Sequence, residues 1–148
     1  MATTFTRPAV PGLRRHAYAV GGAVLATALL WAAARSLGVE LHVDPGDGRP
    51  AQVVGLPLIA GVTLVVSLLA SATRAVLDRL TNRAPAVWTG LAAIVLPVSF
   101  VPVFYVEASG GAKATLALMH LGVAAVLVSL LGRRNGDRTA PHLDRPET

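Results

Sequence analysis

Four long apolar runs, separated by short polar stretches, dominate the pattern along this chain. The runs cover His16–Ala34, Ala51–Thr73, Ala84–Val106 and Ala114–Gly132. None alternates polar and apolar positions with period two, as a half-buried strand would. Each holds about the 20 residues a helix needs to cross a hydrocarbon core at 1.5 Å per residue. A helix also satisfies its backbone groups within its own segment, which hydrocarbon demands. The pattern predicts an all-α integral membrane protein, a four-helix antiparallel bundle. Its transmembrane domain spans residues 16–132, with tails at 1–15 and 133–148.

Composition agrees with this picture. Hydrophobic residues make up 53% of the chain and charged residues only 14%, against about a quarter in soluble domains. There is no cysteine, which removes disulfides and thiolate metal sites. The net charge of +5 would suit nucleic acid, but its distribution argues against that partner. Arginines cluster at the ends of the apolar runs.

Ten of the 13 basic residues fall in the two tails and in the connection between the second and third runs. These include Arg14, Arg15, Arg74, Arg79, Arg83 and Arg133. The other side holds only Arg35, Arg49 and Lys113. The positive-inside rule therefore predicts both termini in the cytoplasm and a multi-pass protein of the cell membrane. Its partner is the lipid bilayer, with other membrane proteins or self-association as its protein contacts. Trp31 and Trp88 are expected at the outer and inner interfaces, and Arg74, Arg79 and Arg83 at anionic headgroups. Small residues, among them Gly22, Ala26, Ser67, Ser71 and Gly122, are expected at helix contacts. A cleaved signal peptide ending near Ala32–Ala34 is the rival reading of the first run. At 19 residues, that run exceeds the 7–15 of a signal core.

Candidate chemistry centres on His120. Lys113, Ala117, His120 and Ala124 share one helical face, and its small residues favour close approach by a neighbour. Counted from Ala114, His120 lies about two turns, or roughly 10 Å, inside the outer end. It is expected to face the third span and hydrogen-bond there. Its candidate partners are Ser99, Tyr105 or a carbonyl freed by Pro97 or Pro102, whose rings remove backbone donors. Ser99, Tyr105, Glu107 and Lys113 are the further candidates for a ligand or proton contact, since ionisable groups inside membranes often mark such sites. The outer loop offers Glu40, His42, Asp44 and Asp47 as weak metal ligands, although their spacing misses the calcium-loop pattern. A single intramembrane histidine makes no bis-histidine heme site. No phosphate loop, dinucleotide fingerprint or nucleophile elbow is present, so neither cofactor nor enzyme is expected.

Three stretches carry a resemblance. They are "GVELHV" after the first run, the basic connection before "VWT", and "GAKATLALMHLGVAAVLV". Together they resemble a family of small four-span membrane proteins of high-GC Gram-positive bacteria, classed as a domain of unknown function. The resemblance implies an integral membrane protein and no particular activity.

Two functions then compete. One is a non-enzymatic scaffold or accessory subunit acting through its helices. The other is a small-molecule, lipid or proton-coupled carrier with a pocket between the third and fourth spans near His120. A cavity lined by His120 beside the Pro97 or Pro102 kink would favour the carrier. A tightly packed interior with one large outer apolar face would favour the scaffold.

Overall fold

The computed structural model describes residues 11–44, 50 and 52–132. Within these residues the chain forms four helices: α1 (Pro11–Ser36), α2 (Leu56–Leu80), α3 (Ala84–Tyr105) and α4 (Gly110–Leu131). All four are long and apolar enough to cross a membrane. The shortest have 22 residues, about 33 Å of helix against a hydrocarbon core of about 30 Å.

The second apolar run is helical only from Leu56, not from its start. Pro57 occupies the first turn of α2, where a missing N–H costs nothing. The preceding residues instead make a two-stranded ribbon, β1 (His42–Val43) with β2 (Gln52–Val53). Val54 extends that contact. Its N–H donates to the carbonyl of Leu41, and its carbonyl accepts from Trp31 Nε1. Trp31 also lies beneath the guanidinium of Arg35. Leu41 is sealed between Ala34, Ile59 and Met119, which closes this end of the molecule.

At the other end, α2 runs on past Thr73 to Leu80. Ser109 starts α4 by accepting the Ala112 N–H, the usual role of serine at that position. Helix α1 runs opposite to both α2 and α4, as pairs along each contact attest. Arg15 meets Asp78 while Trp31 meets Val54. Gly22 faces Val126 and Gly122 faces Leu30.

The helices do not pack equally. α1 lies closely along α4 and α2, whereas α2 and α3 touch over only a short stretch. Small residues explain the tight side. A methyl at Gly22 would sit 3.3 Å from Val126, and one at Gly122 3.4 Å from Leu30. Ala19 and Ala23 of α1 are wholly buried, as is Ser67 of α2, and Ser71 is nearly so. Glycine, alanine and serine let helices approach where lipid provides no hydrophobic drive.

Two residues expected at the membrane surface belong to the interior. Trp88 is 7% exposed and packs with Ala19, Ala23, Leu127 and Leu131. Arg74 is 1% exposed. It donates to the Leu131 carbonyl and pairs with Asp78, which in turn meets Arg15. Its neighbours Arg79 and Arg83 are exposed, as expected. The last four carbonyls of a helix lack partners within it. Here a guanidinium from α2 meets one of them at the end of α4.

Candidate functional site: a cavity between the second, third and fourth helices

The wide spacing of α2 and α3 leaves a cavity of about 610 Å³. That falls within the roughly 300–1,000 Å³ of small-molecule sites. Its wall on α2 extends from Leu58 to Thr73, roughly 22 Å at 1.5 Å per residue. Leu91, Val95 and Leu96 face it from α3, and α4 forms the floor together with Thr27 of α1. Leu58, Val62, Leu69 and Val95 line the cavity and are each more than half exposed. Its mouth therefore lies between α2 and α3, on the side where lipid would stand. The lining contains no charged side chain.

His120 and Ser99 both line this space. The predicted bond between α4 and α3 is absent, however. The Nδ1–H of His120 donates to the carbonyl of Leu116, one turn back on its own helix, at 2.7 Å. The ring does face α3, but what it meets there is the ring of Phe100, 5.7 Å away between centroids. Ser99 likewise donates to its own helix, to the Leu96 carbonyl at 2.6 Å.

Height removes Tyr105 from reach of His120. Helix α4 begins at Gly110 rather than Ala114. His120 is thus the eleventh of 22 residues, about 15 Å along the helix and near its middle. Phe100 stands at that level. Tyr105 is five residues higher, roughly 7 Å away along α3, and it is fully outward at 84% exposed.

The remaining candidates do not join the cavity. Lys113 Nζ donates to the Phe104 carbonyl at 3.4 Å, near the C-terminal end of α3. Glu107 is exposed and pairs through its backbone with Asp44. In the loop after α1, a Glu40 carboxylate oxygen lies 3.4 Å from His42 Nδ1, with both side chains more than half exposed. Asp47 lies outside the described residues. Among those described, no three acidic or imidazole groups converge as a metal site would require.

The profile of a family of unknown function, DUF6069, matches residues 8–137. The chain belongs to DUF6069. No curated protein and no solved structure matches it significantly. The match covers all four helices and the cavity between them, so both are features of a DUF6069 chain. The family assigns no activity, and the chemistry must be read from the cavity itself.

Proposed function

We propose that this protein is a non-catalytic, multi-pass protein of the cell membrane that binds a long hydrophobic chain, such as that of a lipid, between α2 and α3. The cavity carries this reading. It is lined by His120 and by Leu96 and Ser99, which flank Pro97 on α3, it opens sideways, and its walls are mostly aliphatic. The arginine distribution supports placing the start of α1 and the end of α4 at the cytoplasmic face.

A docked helix from another subunit fits the cavity less well. The mouth presents leucine and valine, whereas helices meet closely through small residues. Gly22 and Gly122 are already committed to the contact between α1 and α4, and Ser67 and Ser71 are buried inside the bundle. The scaffold reading would rest instead on exposed apolar helix faces such as that of Ile94, Val98 and Val101 on α3.

The test is purification in mild detergent, followed by mass spectrometry of the lipids and proteins that accompany the chain. Ala92→Phe, which fills the α3 wall, serves as the control. The expected result is a neutral lipid enriched with the wild type and lost from a folded Ala92→Phe. A stoichiometric protein partner, with identical lipid profiles for both forms, would overturn the proposal in favour of the scaffold.

A further inference from the structure

Three polar residues in the cavity wall, Thr27, Ser99 and His120, share a pattern that narrows the ligand further. Trp88 Nε1, twelve positions before Phe100 on α3, is a donor in the same wall without a partner among the described residues. Thr27 donates its hydroxyl to the Ala23 and Val24 carbonyls. Ser99 donates its hydroxyl to Leu96. His120 donates from Nδ1 to Leu116. In each case the donor is turned back on the residue's own helix, because a carbonyl can only accept.

That direction determines what remains. A hydroxyl that has donated keeps its acceptor lone pairs. An imidazole carrying its proton on Nδ1 has Nε2 as an acceptor at the opposite edge of the ring. Three residues lining one apolar cavity therefore offer acceptors, while the lining has no charge to balance an ion.

Building on the hydrophobic-chain reading, we propose that the cavity selects an uncharged long-chain molecule carrying a hydroxyl or amide N–H. The aliphatic walls hold the chain, and His120 Nε2 accepts the ligand's hydrogen bond, with Ser99 Oγ as the second acceptor. A fatty acid or other ionised amphiphile is excluded, since the charge would be buried without a counterion. An ester or ether of the same length fits the walls but brings no donor to the acceptors. His120 sits near the middle of α4, which places the ligand's donor deep in the hydrocarbon rather than among headgroups. Water is scarce there, so an acceptor without a donor goes unmet.

The experiment uses the full chain in phosphatidylcholine nanodiscs and a photoreactive alkyl diazirine that labels the cavity. Competitors are 1-hexadecanol, its methyl ether and ionised hexadecanoate. In the wild type, the alcohol should compete roughly 2- to 10-fold better than the ether, the worth of one hydrogen bond. Hexadecanoate should compete worst. His120→Leu should bring alcohol and ether together without abolishing labelling, and Ser99→Ala should narrow the gap in part. His120→Gln restores an acceptor and should recover some preference. Equal competition by alcohol and ether in the wild type would overturn this inference while leaving the hydrophobic-chain reading standing. Absence of any labelling in α2, α3 or α4 would overturn that reading itself.

Discussion

The Nε–H of Arg74 donates to the carbonyl oxygen of Leu131 at 2.6 Å, joining α2 to the last residue of α4. The same guanidinium pairs with Asp78 one turn on, and Asp78 meets Arg15 of α1 at 3.5 Å. Three helices are thus tied at one end by a buried cation, an acidic bridge and an otherwise orphaned carbonyl. Helix α3 is left out of this knot. It packs instead along α4, with Trp88 buried against Leu127 and Leu131, and forms one wall of the cavity.

Removing the cation tests the knot. Arg74→Leu leaves the Leu131 carbonyl unmet and Asp78 with half its compensation. The expected cost is about 2–4 kcal/mol. Arg74→Lys should lose less, because an ammonium keeps the charge but not the planar fork. Unfolding in a graded denaturing detergent measures both. An arginine lying among headgroups would cost under about 0.5 kcal/mol on removal, and that result would refute the burial.

Glycines separate the tight seam from the open surfaces. Gly122→Leu drives a side chain into Leu30 across the seam between α1 and α4, and overpacking of this kind costs about 1–3 kcal/mol. Gly21 and Gly61 have nothing within 4 Å of an added methyl. Alanine at either should be neutral or stabilising by up to about 1 kcal/mol through helix propensity. Thermal unfolding in one detergent ranks the three variants. Equal losses at all three positions would contradict the packing.

Much of this architecture was legible in the sequence. Four runs of about 20 apolar residues leave few alternatives in hydrocarbon, because an unpaired backbone is too costly there. Gly22, Ser67, Ser71 and Gly122 stood out because small residues have few other uses in membrane helices. The start of α2 was missed despite Pro57, whose place in a first turn marks a helix beginning. Arg74 was read by its company, a cluster of arginines, when the informative signal was its i,i+4 pairing with Asp78. His120 and Ser99 both line the cavity, but it opens between α2 and α3 rather than between the third and fourth spans, and their bonds were expected between helices. Both polar groups found a carbonyl on their own helix first. The width of the gap between α2 and α3 depends on how bulky side chains meet across it, and no local motif encodes that.

Topology can be checked directly. A reporter in the loop at His42 should read outside, and reporters at Arg79 or the C-terminus should read inside, as the arginine distribution requires. The antiparallel order puts Arg15, Asp78 and Leu131 at one end of the molecule, so the two inner sites must agree with each other. A C-terminal reporter reading outside would reverse or break this arrangement.

The central claim is that a long hydrophobic chain occupies the space between α2 and α3. Trp88 lines that space, and the chain has only two tryptophans, so Trp31→Phe leaves a single fluorophore at the site. The decisive measurement is quenching of Trp88 in bilayers containing phosphatidylcholine brominated along its acyl chains, with and without Ala92→Phe. An occupied cavity predicts strong quenching of this largely buried indole by bromines near its depth, and a marked loss of quenching when Ala92→Phe fills the wall. Weak quenching that is unchanged by Ala92→Phe would mean that no chain enters, and would contradict the account.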